Sequence, residues 1–453
     1  MAADEIVARG HFWLNDPEQA VAGELKYSPA DGTSLYLFGG LAVPRTGERG
    51  HPVRFPVVHG YTEELQWVRL INAMVLQQQF GLRPLASELY SDVIISSSVN
   101  YDTSGLPITA ITASVDNLHS WLGVSGFVIE HLPGHEPLKV TYTLPDAIPF
   151  KVEDYAVSFR FGRTGPTMTR AQREVKIVQI THLRLDFDKP IALDEATQKL
   201  FLIINLLSLG VGFPLSWSDV EVKFAVPLAE TTDTWSRLLG RPEQVRRKED
   251  VQPFNMLFTF SDVKERFSNM LSSWHSLSEK TNALYTLYSA TTRATNIHSE
   301  LRLFNFFQGL ESFHRNTTPP DVTSKQKLRA LKKKILEACS EDERVWLAEK
   351  LAYLGDPTAR DRVRELIVAY KGEWIFQPDW EVAIKRIADM RNYFTHYSRE
   401  LPSEFLDPAN IYNDGSRLQV FCEQIILVAI GFPPSDATKL LQGKRRLERL
   451  LVS

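Results

Sequence analysis

At 453 residues the chain is longer than one ordinary core fills, and this length points to about two or three domains. Apolar residues make up 43% and charged residues 23%, which excludes a collagenous or low-complexity chain. With 51 Lys and Arg against 55 Asp and Glu the net charge is −4, so any hold on nucleic acid must come from local basic patches.

Two cysteines, Cys339 and Cys422, argue for a reducing cytoplasm and against a disulfide scaffold or a cysteine-built zinc site. The opening MAADEIVARGHFWLND carries acidic groups and no apolar run, so no signal peptide is expected. The most membrane-like stretch, 200–215, falls short of the roughly 20 residues of a spanning helix. Asn205, Gly210, Gly212 and Pro214 interrupt it. It is expected as a buried helix ending at the glycines, with no membrane partner.

In chain order, the segments 23–27, 33–41, 53–61, 91–99, 138–144, 155–162 and 175–187 read as strands. They are rich in β-branched and aromatic residues, several alternate apolar with polar, and Gly, Pro, Asp or Asn separates them. Short strands at this spacing favour a sandwich or barrel over a parallel sheet. A helix is expected over 193–209 and a last strand over 220–226. The charged stretch 231–253 reads as a linker between a β-rich domain, 1–230, and a helical one, 254–453. Beyond it Leu303, Phe306, Phe307, Leu310, Phe313 and His314 share one helical face. Further helical patterns cover 261–294, 325–339, 341–354, 357–371, 379–398 and 416–431. Pro319, Pro320, Pro402, Pro433 and Pro434 read as stops. The expected fold is a multidomain α+β chain, a β-rich, sandwich-like half followed by an all-α bundle.

No P-loop, HExxH, GxSxG or strand-linked glycine fingerprint is present. His131 and His135 stand four apart, but Pro133 and Gly134 break the helix that would align them. Glu311 and His314 have the i, i+3 spacing of di-iron bundles without the second copy iron needs, and are assigned a supporting role only. The informative segment is 379–402. At about 100° per residue, Arg391, Asn392 and His396 gather on an arc of about 140° beside the apolar seam of Ile384, Ile387 and Phe394. The plain alternative is a tethering Arg and a capped His. Bare Arg–His spacing also occurs at Arg45/His51, Arg54/His59 and Arg293/His298, but only Arg391 is followed by an amide within a late helix. Lys325, Lys327, Arg329, Lys332, Lys333 and Lys334 form a basic run that can track an RNA backbone, as can 444–449; each also reads as a solvated helix face.

RNYFTH at 391–396 resembles the R-N-x-x-x-H form of the HEPN motif, named for the higher eukaryotes and prokaryotes nucleotide-binding domain. FNFFQGLESFHR (304–315) resembles the early helix of the ApeA-like subgroup. The segments 10–41, 57–70 and 115–127 resemble the ApeA N-terminal domain, although Glu-Glu-Leu in HGYTEEL stands where a Gly-containing turn is expected. The resemblance implies a cytoplasmic bacterial anti-phage protein of the abortive-infection type. Its HEPN domain would cleave RNA, with tRNA a candidate target, when the β-rich half senses a phage protein trigger. It also implies a homodimer whose two motifs face one cleft, with no metal and no cofactor. His396 would take the 2′-hydroxyl proton, Arg391 would hold phosphate oxygens, and Asn392 would orient His396 or bind the phosphate. Two rival readings stay open: a non-catalytic HEPN module that binds nucleotide or RNA or dimerises, beside a β-rich ligand-binding domain, and a glycan-binding β-sandwich with a helical tail.

Overall fold

The computed structural model describes residues 5–28, 31–41, 53–80, 84–100, 107–130, 139–168, 174–225, 235–240, 251–280, 282–294, 296–318, 322–351, 356–396 and 401–443. The chain divides into two compact units, Met1–Ser268 and Asn269–Ser453.

Alternation builds the first unit. In β1 (Ile6–Trp13) Ala8 and Phe12 are buried while Val7, Arg9 and His11 face out, the period of a half-buried strand. There follow β2 (Val21–Ser28), β3 (Gly32–Leu37), β4 (Arg54–Thr62), β5 (Gln66–Phe80), β6 (Pro84–Ser91), β7 (Val93–Ser97) and β8 (Ile108–Val115). Then come β9 (Phe127–Glu130), β10 (Lys139–Tyr142), β11 (Ile148–Val152), β12 (Tyr155–Met168), β13 (Val175–Ile191), β14 (Trp217–Phe224) and β15 (Ser236–Gly240). Neighbouring strands pair antiparallel throughout the described residues.

The order β5–β4–β1–β2–β3–β6 closes into a barrel because β6 returns to β5. Closure depends on the 15-residue length of β5: residues 74–80 pair with β6, whereas 67–71 pair with β7. Phe12, Leu25, Leu35, Val58 and Leu70 fill the interior. Gly60 must be small, since a Cβ there would stand 2.4 Å from the Phe12 ring. The β4–β5 hairpin forms without glycine. Thr62 Oγ1 accepts from Leu65 N–H at 3.0 Å, and Gln66 takes the left-handed φ of 58°.

From β7 the sheet opens through β15, β14, β8, β13, β12 and β11, while β9 and β10 form a separate hairpin. α1 (Leu118–Leu122) and α2 (Leu193–Val211) complete this part, with α2 packed on β8 and β13. α2 accounts for most of the apolar stretch 200–215. Leu200, Ile203, Ile204 and Leu207 are buried, and Gly212 ends the helix at φ 94°. No helix among the described residues is long and apolar enough to cross a membrane.

The division falls later than the stretch expected as a linker. Within 231–253, β15 pairs with β7 and β14, its short SRLLG run masked in the sequence by charged neighbours. Residues 256–267 also belong to the first unit. Trp121 of α1 donates Nε1–H to Phe258 O at 2.9 Å and meets the rings of Phe159, Phe258, Phe267 and Phe260, the last in α3 (Phe260–Val263).

The helical half comprises α4 (Phe267–Lys280), α5 (Asn282–Arg293), α6 (Ser299–Thr317), α7 (Val322–Glu337), α8 (Glu341–Lys350), α9 (Ala359–Ala369), α10 (Trp380–His396), α11 (Pro408–Ala429) and α12 (Pro434–Gln442). α6 lies at its centre, against α5, α9, α10 and α11. Its face of Leu303, Phe306, Phe307, Leu310, Phe313 and His314 is buried throughout, as the helical period predicts. α11 ends at Ala429, ahead of Pro433 and Pro434 as expected, and Pro434 also opens α12. α11 starts earlier than expected, at Pro408, with Asp407 accepting from Ala409 N–H at 2.8 Å. The first helical turn has no use for the N–H that proline lacks.

Candidate active site

The site is built on α10 and α6. Ile384, Ile387 and Met390 are fully buried, so α10 is pinned by its apolar seam and brings Arg391 to the edge of the core. The Arg391 side chain is 18% exposed. Its Nη2 donates to Glu311 Oε2 at 3.0 Å and to Gln308 Oε1 at 3.1 Å, and its Nη1 donates to Asn392 Oδ1 at 3.2 Å. The guanidinium carbon lies 5.9 Å from the centroid of the Phe304 ring. Its Nε is buried and has no hydrogen-bond partner among the described residues.

Phe304, Gln308, Glu311 and Arg315 follow one another at helical spacing along α6 and form the wall that faces Arg391. Arg315 Nη2 donates to the second oxygen, Glu311 Oε1, at 3.0 Å. Two guanidiniums therefore share one carboxylate, whose side chain is only 10% exposed. The three groups sum to one net positive charge, with Arg391 18% and Arg315 62% exposed at the side chain, which suits a phosphate arriving from solvent. The same arithmetic bears on iron. A carboxylate already shared by two guanidiniums would have to give up those bonds' charge to a cation, so Glu311 is ill suited to be a metal ligand. Among the described residues no three His, Cys, Asp or Glu side chains gather as a metal site.

One turn beyond Glu311, His314 is 4% exposed at its side chain and shares a hydrogen bond of 2.6 Å between Nε2 and Glu365 Oε2 of α9. Its Nδ1 is buried without a hydrogen-bond partner among the described residues. Glu311 holds Arg391 directly, and His314 stands beside Glu311 with a carboxylate behind it.

Asn392 is half-buried and accepts from Arg391. Thr395 Oγ1 donates to Arg391 O at 2.8 Å. The backbone of His396 ends α10, and its side chain lies outside the described residues. Of the basic run on α7, Arg329, Lys333 and Lys334 are exposed and Lys332 is half-buried. Lys333 pairs with Glu337 at 3.7 Å. The side chains of Lys325 and Lys327, like residues 444–449, lie outside the described residues, as do Arg45, His51, His131 and His135. The competing pair Arg293/His298 falls on two elements: Arg293 ends α5 and His298 caps α6.

Sequence reasoning missed Gln308 and Glu365. Gln308 sits four residues after Phe304 and three before Glu311, and that polar stripe beside an apolar face was a usable signal. Glu365 had none, because its role depends on α9 meeting α6. Two family models match the chain: ApeA N-terminal domain 1 over residues 8–274, and Apea-like HEPN over residues 304–436. The second span contains α9, α10 and α6 from Phe304 onward, and with them Phe304, Gln308, Glu311 and Asn392, which contact Arg391. No curated protein and no solved structure matches the chain.

Proposed function

The chain belongs to the ApeA-like HEPN family, and from that premise we propose that it is an anti-phage endoribonuclease that cleaves RNA without a metal ion. The observation that carries this reading is the half-buried Arg391, which keeps net positive charge beside Asn392 on the last helical turns before His396. In the proposed reaction His396 takes the proton of a ribose 2′-hydroxyl, and the 2′-oxygen attacks the adjacent phosphorus. Arg391 holds the non-bridging oxygens as negative charge builds on them. The products are a 2′,3′-cyclic phosphate and a 5′-hydroxyl, so DNA is not a substrate.

Two copies of the chain pair through their helical halves, and tRNA is a candidate target. The β-rich half senses a phage protein and keeps the nuclease inactive until that protein binds. The test of the activity is incubation of the purified protein and its trigger with total RNA in EDTA. Cleavage that ends in cyclic phosphate and vanishes in Arg391→Ala supports the reading. Binding of RNA without cleavage would leave the site a binding module, with Arg391 as a tether.

A further inference from the structure

A ribonuclease has to hold the strand as well as the phosphate it cuts. The reading above gives Arg391 the phosphate under attack and assigns nothing to the rest of the strand. We infer that Arg315 of α6 holds the phosphate next to that one, so that a good substrate is an RNA strand that continues past the cut. This deepens the nuclease reading and rests on it.

Three observations carry the assignment. First, the two arginines are tied to the two oxygens of one carboxylate. Arg391 Nη2 donates to Glu311 Oε2 at 3.0 Å, and Arg315 Nη2 donates to Glu311 Oε1 at 3.0 Å. With C–O bonds of about 1.2 Å, the two nitrogens stand at most about 8.5 Å apart, within the span of successive phosphates on one strand. Second, Arg315 can be reached. Its side chain is 62% exposed, whereas that of Glu311 is 10% exposed. Among the described residues its only hydrogen bond is the one to Glu311, so most donors of the guanidinium stay available to a ligand. Third, the guanidinium is already held at one corner. Its anchor is a carboxylate that Arg391 itself fixes, so a phosphate meets a partly ordered fork and less side-chain freedom is lost on binding.

Arg315 follows Phe304, Gln308 and Glu311 on the stripe of α6 that faces Arg391, so both cations lie on one side of the helix. A strand laid along that side meets Arg391 at the cut and Arg315 at the neighbouring phosphate.

The experiment uses the full chain with its trigger, in EDTA, and an RNA oligonucleotide whose cut has been mapped. In two further oligonucleotides a neutral methylphosphonate replaces the phosphate on the 5′ side or on the 3′ side of the cut linkage. Wild-type protein should lose about tenfold in kcat/KM on one of the two, the effect of one charge-assisted hydrogen bond, with the loss in KM rather than kcat. Arg315→Ala should lose about tenfold on the all-phosphate RNA and nothing more when that same phosphate is neutral, because one contact is lost only once. Its slope of log Kd against log salt should be shallower by about 0.7, the share of one phosphate on a single strand, and Arg315→Lys should restore most of it. Equal loss in Arg315→Ala on all three RNAs means that Arg315 acts only through Glu311 and overturns the assignment, as does no loss on any. RNA that is bound but left uncut overturns the nuclease reading instead. The same comparison then runs on Kd with each phosphate neutralised in turn: one phosphate coupled to Arg315 upholds the contact, and none so coupled overturns it. RNA that is not bound at all overturns both.

Discussion

The two units bury different chemistry. The β-rich unit is closed by apolar and aromatic packing: Trp121, Phe159, Phe258 and Phe267 are at most 1% exposed, and its buried polar groups are mostly hydroxyls such as Thr33, Thr62, Ser91 and Ser236. It buries one ion among the described residues, Arg69 at 2% exposed, whereas the helical unit buries several. Asp414 is fully buried, bonded by Arg386 at 2.7 and 2.9 Å and approached by Arg417 at 3.6 Å. Glu423 accepts from Tyr288 at 2.9 Å and from Gln419 at 3.0 Å, and Glu311 holds Arg391. Charges removed from water cost free energy unless well paired, so a core that keeps several is organised around more than stability. The buried charge of the helical unit includes the carboxylate that holds Arg391.

The sharpest way to break this comparison is at Arg391 and His396. His396→Ala and Arg391→Ala should each lower cleavage by at least about 10²-fold while the thermal midpoint moves little for His396. Full activity in His396→Ala, with loss in Arg293→Ala or His298→Ala, would move the site to the Arg293/His298 pair. Next in size are the structural charges. Asp414→Ala leaves Arg386 uncompensated and should cost about 3–5 kcal/mol by urea unfolding. Trp121→Ala should cost a similar ~3–5 kcal/mol in the other unit. If Asp414→Ala is nearly neutral, the buried ions carry less than the comparison gives them.

Expression of residues 269–453 alone tests which unit restrains the other. Growth arrest stronger than that from the full chain, and relieved by His396→Ala, is the expected result. An inert folded fragment beside a constitutively active full chain would make the β-rich unit a substrate platform. The smallest effect concerns His182 in β13, whose pKa is lowered, chiefly by burial. Its neutral form is favoured by folding, so its contribution to stability is present above the unfolded value of about 6.5 and is lost as pH falls below it. Melting His182→Gln across pH 5–8 should show a shallower acid slope than wild type.

Much of this was legible in the sequence, for reasons that particular residues make plain. α6 and α10 announced themselves because Leu303, Phe306, Leu310, Ile384 and Ile387 repeat at the helical period. The motif residues could be placed because they share one helix. β5 was harder: it changes partners midway, and its Arg69, Gln77 and Gln78 spoil simple alternation. β15 was hidden by its brevity. The ring of contacts around Arg391 depended on α6 meeting α10, and no local pattern encodes where helices distant in sequence cross. Only Glu311 and His314 stood out beforehand, through their spacing.

The central claim is that Arg391 and its α6 wall form an RNA-cleaving site that needs no metal. It is tested most directly by assaying the triggered full chain on matched RNA and DNA oligonucleotides in EDTA, with product termini read by mass spectrometry. The account predicts RNA cleavage to 2′,3′-cyclic phosphate and 5′-hydroxyl ends, intact DNA, and no cleavage by Arg391→Ala. Cleavage that requires added magnesium, extends to DNA, or survives Arg391→Ala would contradict it.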